Sequence, residues 1–260
     1  MSLTRQRQKE LVSLHQGKYR TRYAEYLIDG VRAVEAAVLA GAPLREVLVT
    51  ADAQMQPRVQ HVLERVAAME VVVHEVPASV LQAVSAVETP QGLVAVAQVA
   101  TVAPEALTGA VLALDAVQDP GNVGTLIRSA AWFGLRGVLL GPGTVDPFNP
   151  KVVRATMGGL WEVALAPTAD LAGALRSLRE AGYACYGADV EGTPAQAWAP
   201  PAKTVLVLGS EAHGLSPAVR EAVQGCVCIE AAPGRAGTES LNVAIAGSIL
   251  LHRWHRPATH

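Results

Sequence analysis

Short apolar runs alternate with amphipathic helical stretches along most of the chain. The runs are rich in β-branched residues, and Glu46–Thr50, Val111–Asp115 and Thr204–Gly209 are examples. The stretches between them, such as Gly30–Ala40 and Asp170–Ala181, repeat apolar residues at the spacing of a helix face. Strands that alternate with helices predict an α/β fold, in which helices cover the faces of a parallel or mixed sheet.

This alternation is interrupted at residues 101–108, which lack a clear period and contain Pro104. We interpret this stretch as a linker between a small α/β domain, residues 1–100, and a larger domain, residues 109–260. Half of the 260 residues are hydrophobic, which is enough for a substantial core. Because the sequence has no apolar stretch of transmembrane length and no signal-peptide pattern, we expect a cytoplasmic protein without a membrane partner.

The first 22 residues are basic, although the formal net charge of the chain is −2. They hold six basic residues and one acidic residue, whereas the rest of the first hundred residues hold four basic and nine acidic residues. A basic segment on an otherwise acidic protein is typical of an arm that contacts nucleic-acid phosphates, and a solvated terminal helix explains the charge equally well. The candidate phosphate-contacting residues are Arg5, Arg7, Lys9, Lys18, Arg20 and Arg22.

Three polar loops in the second half of the chain each follow an apolar run and precede a helical pattern. They are Asp119–Gly124, Leu208–Leu215 and Glu239–Val243. Open α/β sheets bind their ligands where strands end and helices begin. These loops therefore contain the candidate catalytic and binding residues.

The first loop can be structural, with Asn122 as the cap of a helix over Val123–Phe133. Arg128 suggests more, because it lies four residues after Gly124 and its side chain runs back toward the start of the helix. A guanidinium near the positive end of a helix dipole fits the approach of an anion such as a phosphate.

The second loop contains Glu211, whose carboxylate argues against a nucleoside triphosphate as the ligand. The chain has neither a Walker A sequence nor a G-x-G-x-x-G fingerprint. The alternative is a surface turn in which Ser210 or Glu211 caps the next helix. His213 has no Cys or His at ligand spacing, so we expect no metal site. The three cysteines are expected to be buried apolar thiols.

The third loop offers Ser240 as the cap of a helix over Leu241–Trp254, with Asn242 presenting its amide from the first turn. That helix carries small residues suited to close packing against another helix, including one of a second subunit, at Ala244, Gly247 and Ser248. The loops together contain no Ser/His/Asp order and no paired carboxylates for hydrolysis. A transfer reaction, which mainly needs positioning and electrostatics, suits them better.

The three loops resemble the three sequence motifs of the SpoU (TrmH) family of RNA ribose 2′-O-methyltransferases, in the SPOUT superfamily. The matching residues are Asn122, Gly124 and Arg128, then Leu208–Glu211, then Ser240–Val243. Asn149–Gly158 is also similar to the stretch that this family carries between its first two motifs. In the first domain, Lys18–Arg20, Tyr26–Gly30 and Glu88–Val94 resemble an L30e-like substrate-binding domain.

The resemblance implies a trefoil-knotted parallel-sheet domain that binds S-adenosylmethionine in the knot and works as a homodimer on RNA. The implied catalytic residues are Asn122, Arg128, Glu211, Ser240 and Asn242. The implied cofactor contacts are Leu208, Gly209, Ile229, Ser240 and Leu241. In this interpretation Arg128 stabilises the alkoxide that develops on the ribose, Ser240 and Asn242 orient ribose and cofactor, and Glu211 fixes the knot loops or the arginine.

Two departures from the family pattern affect the expected shape of the cofactor pocket. Ile229 is followed by Glu230 rather than proline, and Ala231–Thr238 is longer than usual. The substrate is also open at this point. The L30e-like domain favours 23S rRNA over tRNA. A non-catalytic rRNA-binding assembly protein and a methyltransferase for a small molecule or a protein are the alternatives, and ribosome maturation and antibiotic resistance are both possible roles.

Overall fold

The computed structural model of the protein describes residues 3–232, 237 and 239–255. In chain order the helices are α1 (Arg5–Ser13), α2 (Gly17–Tyr23), α3 (Val31–Leu39), α4 (Ala51–Gln54), α5 (Pro57–Ala68), α6 (Ala78–Val84), α7 (Pro120–Trp132), α8 (Pro150–Ala155), α9 (Leu171–Glu180), α10 (Pro217–Ala222) and α11 (Val243–Trp254). The strands are β1 (Glu25–Asp29), β2 (Leu44–Val49), β3 (Val72–Glu75), β4 (Leu93–Gln98), β5 (Val111–Leu114), β6 (Gly137–Leu140), β7 (Ala164–Pro167), β8 (Ala184–Pro194), β9 (Thr204–Leu208) and β10 (Gly225–Cys228).

Contacts divide the chain into two compact units. The first unit comprises residues 1–100 and 146–161, and the second comprises residues 101–145 and 162–260. Within the described part of the chain, no helix is both long enough and apolar enough to cross a lipid bilayer.

The first unit is built on a sheet with the strand order β1-β4-β2-β3. Strand β4 pairs antiparallel with β1 and β2, and β2 pairs parallel with β3. Val94 and Val96 alternate along β4 and pack in one buried cluster with Leu11 and Leu14. Because Leu11 and Leu14 are fully buried, the basic N-terminal segment is a packed part of this unit rather than a free arm.

Residues 146–161 pack in the first unit, although they follow β6 of the second unit in the sequence. The Nε1 group of Trp161 donates to the hydroxyl of Tyr26 at 2.8 Å, and the rings of Tyr26 and Phe148 lie 4.8 Å apart. Burial raises the pKa of Tyr26 to about 12. The predicted domain of residues 109–260 therefore contains a segment whose contacts lie in the first unit.

The predicted linker, residues 101–108, is held by the second unit. It contains a short 3-10 helix, Pro104–Ala106, and Leu107 is only 4% exposed. The hydroxyl of Tyr183 donates to the carbonyl of Leu107 at 2.9 Å. Because its apolar side chain is buried in the core of the second unit, Leu107 fixes the linker in place. The irregular sequence predicts a flexible segment instead.

The second unit has a sheet with the order β10-β8-β9-β5-β6-β7, and its paired strands run parallel. Residues of β5 and β9 are buried on both faces, as expected of a parallel sheet covered by helices. This arrangement confirms the predicted α/β fold. Since β5 and β9 are neighbours with Leu114 opposite Leu208, the loops that follow them begin side by side.

Candidate functional site

The helix that follows the first polar loop begins earlier than predicted. Asp119 is the N-cap of α7, and its Oδ1 accepts from the main-chain N–H of Asn122 at 2.8 Å. The prediction that Asn122 caps this helix is therefore wrong. Pro120 explains the difference, because its fixed φ suits the first helical position and extends the helix by one turn. Asn122 lies in that first turn, and its side chain is free to bond elsewhere.

Asn122 connects the first polar loop to the second and the third. Its Nδ2 donates to Oε1 of Glu211 at 2.7 Å, and its Oδ1 accepts from Nδ2 of Asn242 at 3.0 Å. One carboxamide thus uses both of its polar atoms to join residues far apart in the sequence. The structure brings together three of the predicted catalytic residues in a chain of hydrogen bonds, Glu211–Asn122–Asn242.

Asn242 also begins the last helix. Its Oδ1 accepts from the main-chain N–H groups of Ala244 and Ile245 at 2.9 and 3.2 Å, which makes it the N-cap of α11. The prediction that Ser240 caps this helix is wrong, since α11 starts two residues later than expected. Capping fixes the Asn242 side chain so that its amide points to Asn122. Ser240 is exposed and has no hydrogen bond to a described residue.

The second polar loop closes as a tight turn. Ser210 and Gly214 exchange two main-chain hydrogen bonds of 2.9 Å. A side chain at Gly209 would collide with the main chain of Gly214, so only glycine fits there. The predicted helix cap at Ser210 or Glu211 is wrong, because α10 begins after Ser216. The loop instead presents Glu211 to Asn122.

A buried carboxylate that we did not predict supports these loops. Asp115 follows β5 and is 5% exposed. Its main-chain N–H donates to the carbonyl of Leu208 at 2.8 Å, and its Oδ2 accepts from the N–H of Ser216 at 2.6 Å. Asp115 therefore anchors both ends of the second loop. The available signal was a single carboxylate at the end of an otherwise apolar run, Val111–Asp115.

Arg128 is exposed on α7 and makes no hydrogen bond or ion pair within the described part of the chain. An arginine always carries its charge near neutral pH. Neither Glu211 nor another described carboxylate neutralises this one, so its guanidinium is available to a ligand. Of the two roles predicted for Glu211, the structure shows a contact that suits only the first, a hydrogen bond with Asn122 of the first loop.

The main-chain groups of Gly209, Ile229 and Leu241 are also available. They have no hydrogen-bond partner among the described residues, although Gly209 is buried and Ile229 is half-buried. Unpaired main-chain donors and acceptors at strand ends can bind a flat polar ring such as a nucleobase. This fits the predicted cofactor contacts. Of the longer segment after Glu230, residues 233–236 and 238 lie outside the described residues.

Small residues of α11 pack against α7 of the same chain. A side chain at Gly247 would collide with Leu126 and Leu208, and the hydroxyl of Ser248 lies 2.8 Å from that of Ser129 on α7. Ala244 is buried on the same face. The prediction that these small residues suit close packing against another helix is confirmed, and that helix is α7 of the same chain.

None of the three cysteines, which all lie in the described part of the chain, is fully exposed, and none forms a disulfide bond. Cys185 and Cys228 are buried, and Cys226 is half-buried. Burial raises the pKa of Cys185 to about 11, so the thiol stays protonated at neutral pH. In the described residues, no group of His, Cys, Asp and Glu side chains is arranged to hold a metal ion.

Two of the six basic residues predicted to contact phosphates are bound inside the first unit. Arg7 donates to Glu46 and Glu25 at 2.7 and 2.8 Å. Although desolvation opposes it, these carboxylates raise the pKa of Arg7 above its usual value. Arg20 is 4% exposed and donates from Nε to Asp146 at 2.7 Å.

The other four basic residues are exposed: Arg5, Lys9, Lys18 and Arg22. On α2, the ammonium of Lys18 lies 4.9 Å from the ring centre of Tyr19, and the guanidinium of Arg22 lies 5.6 Å from that of Tyr23. A phosphate contact by this segment therefore depends on these four exposed residues.

Two family models match the chain. A model described as the SpoU rRNA Methylase family matches residues 109–252, and a model described as the MRM3-like substrate binding domain matches residues 5–95. The first match includes the three polar loops and the second includes the basic segment from Arg5 onward.

Several known proteins are similar over nearly the whole chain. The 23S rRNA (guanosine(2553)-2′-O)-methyltransferase RlmP of Bacillus subtilis strain 168 is 32% identical over 255 residues, and the match covers 96% of each protein. A TrmH-family protein of Porphyromonas gingivalis has a TM-score of 0.86 at 36% identity, covering 98% of this chain and 99% of that chain. An rRNA methyltransferase of Sinorhizobium meliloti, solved with AdoMet bound, has a TM-score of 0.83 at 29% identity, covering 97% and 95%.

Proposed function

Because this chain belongs to the SpoU rRNA methylase family, we propose that it transfers a methyl group from S-adenosylmethionine to a ribose 2′-hydroxyl of 23S ribosomal RNA. The observation that carries the proposal is the hydrogen-bond chain Glu211–Asn122–Asn242, which joins the three motif loops. Arg128 lies on the same helix as Asn122 and has no partner among the described residues. The relative RlmP carries a name that specifies ribose 2′-O-methylation of 23S rRNA.

S-adenosylmethionine is the cofactor of this enzyme class, and the residues of the site fit it. The buried Gly209 leaves no side chain in the turn, and the main-chain groups of Gly209, Ile229 and Leu241 are available for an adenine ring. Leu208 and Ser240 complete the proposed cofactor contacts. When bound, the cofactor supplies an electrophilic methyl group on a sulfonium.

Arg128 acts on the ribose in this proposal. The proton of the 2′-hydroxyl passes to solvent as the oxygen attacks a methyl group, so negative charge develops on that oxygen. The guanidinium of Arg128, which has no partner among the described residues, can stabilise that charge directly or bind an adjacent RNA phosphate. Asn242 and Ser240 orient the ribose, while Asn122 and Glu211 hold the loops in register. The proposed role of Glu211 is therefore positioning.

The RNA contact includes the exposed basic residues of α1 and α2. Single-stranded RNA binds well to cationic surfaces that carry aromatic rings, because bases stack on the rings while Lys and Arg contact phosphates. Lys18, Tyr19, Arg22 and Tyr23 provide both chemistries on one short helix. Arg7 and Arg20 support this surface from inside the first unit.

A homodimer and a trefoil knot are also part of the proposal. Ile245 and Ile249 lie four residues apart on α11 and are 52% and 37% exposed, and Trp132 of α7 is 82% exposed. Exposed apolar groups of this kind are typical of a subunit interface. Sedimentation analysis should give a dimer, and Ile245→Glu should shift it to monomer. Membership of the SpoU family supports the knot, and action on ribosomal RNA supports a cytoplasmic location.

The experiment is methyl incorporation from labelled S-adenosylmethionine into total rRNA and tRNA from cells that lack this gene. We expect label in 23S rRNA, and mapping of the modified nucleotide should place it on a ribose. The guanosine that RlmP modifies is the first position to examine. Label in tRNA alone would change the substrate, and cofactor binding without label in either pool would favour a non-catalytic RNA-binding protein.

A further inference from the structure

A cavity of about 300 Å³ lies in the first unit. Its lining consists of Val31, Arg32, Gln56, Arg58 and Gln91, and so combines two guanidinium groups with two carboxamides and no carboxylate. The volume is at the lower end of the range for small-ligand sites, which is about 300–1,000 Å³. None of the six basic residues predicted to contact phosphates lines it.

The cavity is shaped by the start of α3. Gly30 has a φ of 97°, which favours glycine and turns the chain sharply from β1 into the helix. The Oε1 of Gln91 accepts from the main-chain N–H of Val31 at 3.1 Å. This bond fixes the carboxamide of Gln91 and leaves its Nε2 donors without an acceptor among the described residues. Gln91 is thus an oriented hydrogen-bond donor on the cavity wall.

The start of α5 supplies a second wall. Gln56 is the N-cap residue of this helix, but its side chain makes no capping hydrogen bond. Since this side chain also has no other hydrogen bond among the described residues, both its donors and its acceptor remain for a ligand. The first turns of α3 and α5 each add positive potential, because the dipole of a helix is positive at its start.

The two arginines differ in how they are held. Arg58 donates from Nε and Nη2 to one oxygen of Glu35, which orients the guanidinium and leaves the Nη1 donors. Arg32 is exposed and forms no ion pair with a described residue. Glu35 neutralises one of the two charges, so the cavity remains positive. A forked guanidinium in a positive cavity matches a phosphate better than a neutral ligand.

We propose that this cavity binds one nucleotide of the RNA substrate, with Arg32 and Arg58 on a phosphate and Gln56 and Gln91 on the ribose or the base edge. Phosphate contacts position an RNA, and carboxamides can read the edges of unpaired bases. This inference rests on the proposed function, because it identifies a part of the RNA contact of the same enzyme.

The test measures binding of the purified full chain to an unmodified 23S rRNA transcript at several salt concentrations. Arg32→Gln should weaken binding about 3- to 10-fold at ~0.1 M salt, and should reduce the slope of log K against log salt by about 0.7–0.9. Gln56→Ala should weaken binding about 2- to 5-fold without changing that slope, because it removes an uncharged contact.

Arg65→Gln is the matched control. Arg65 is an exposed arginine of the same helix α5 that does not line the cavity, so its substitution makes the same change in charge. A second test variant, Arg58→Gln with Glu35→Gln, removes the other cavity arginine without leaving an unpaired carboxylate. The Arg65→Gln control and the double variant should both retain the melting temperature of the parent chain. Only the double variant should lose RNA affinity.

Three results would overturn the proposal. They are equal losses of RNA affinity for Arg32→Gln and Arg65→Gln, no loss of affinity for either Arg32→Gln or the double variant at Arg58 and Glu35, and no binding of the transcript by the parent chain. Methyl transfer is measured in parallel to separate the two proposals. Transcript binding that depends on Arg32, without methylation of any RNA, would contradict the proposed function and retain this site. If Arg32→Gln and the double variant at Arg58 and Glu35 both bind the transcript with normal affinity and methylate it, the proposed function stands and the cavity is not an RNA-binding site.

Discussion

Arg7 and Arg20 of the first unit and Arg128 of the second unit are held in opposite ways. In the first unit, Arg7 and Arg20 are tied to carboxylates and carbonyls, and Arg20 is almost fully buried. In the second unit, Arg128 stays exposed and unpaired among the described residues, and the carboxylate of Glu211 bonds to Asn122. The same residue type therefore stabilises the first unit at Arg7 and Arg20 and remains available for a reaction at Arg128.

Burial explains this difference. A guanidinium taken out of water needs partners for its N–H groups, and Arg20 has Asp146 together with the carbonyls of Leu14 and His15. An exposed guanidinium such as that of Arg128 is satisfied by water, so it can exchange that water for a substrate. Substitutions can test this difference, because they should affect stability in the first unit and the chemical step in the second.

The largest effect is expected for Arg128→Ala. Loss of the unpaired guanidinium should lower the methyl-transfer rate about 10²- to 10³-fold, because it removes charge stabilisation in the transition state. Cofactor affinity, measured by calorimetry, should be nearly unchanged. Arg176→Ala, which removes another exposed arginine of the second unit, should retain full activity. Parent activity in the Arg128 variant would refute its assignment.

A smaller effect, on stability rather than rate, is expected for Arg20→Met. This change keeps most of the side-chain volume but leaves Asp146 and two carbonyls without their donor, which should lower the free energy of unfolding by about 3 kcal/mol. Denaturant titration measures it. Arg22→Met, at an exposed position of the same helix, should change the free energy of unfolding by less than about 0.5 kcal/mol. Equal effects would show that Arg20 is not structural.

The side chain of Asn242 has two roles, because it caps α11 and donates to Asn122. Asn242→Ala removes both the helix cap and the bond to Asn122, and should lower stability by about 1 kcal/mol and the transfer rate about 10-fold. Asn242→Asp keeps an oxygen for the cap but loses the donor to Asn122, so it should lower only the rate. A normal rate in the aspartate variant would show that the bond between the asparagines has no part in the reaction.

The smallest effect concerns the exposed charges of α2. Lys18→Gln with Arg22→Gln should weaken binding of a 23S rRNA transcript several-fold and reduce its salt dependence, while stability stays unchanged. Deletion of residues 1–22 is not a clean test, because it removes the buried Leu11 and Leu14 as well as Arg20. Unchanged salt dependence in the double variant would place the phosphate contacts elsewhere.

Local pattern was enough to predict much of the site. Proline and glycine residues marked the positions of the three polar loops. The order of residues within these loops identified the family without structural information. The helix starts were less predictable. Asp119, Asn122, Ser240 and Asn242 are all good caps by residue type, so the choice between neighbours depended on Pro120 in one loop and on the bond to Asn122 in the other.

The sequence by itself determined the α/β architecture, the positions of the motif loops and the family, because these depend on short-range periodicity and on residue order. Only the tertiary structure decided which polar residues bond to each other. The contacts of Asp115 with Ser216 and of Arg20 with Asp146 join residues about a hundred or more positions apart. Such pairs leave no local pattern, because their partners meet only when the strand order and the packing of the whole unit place them together.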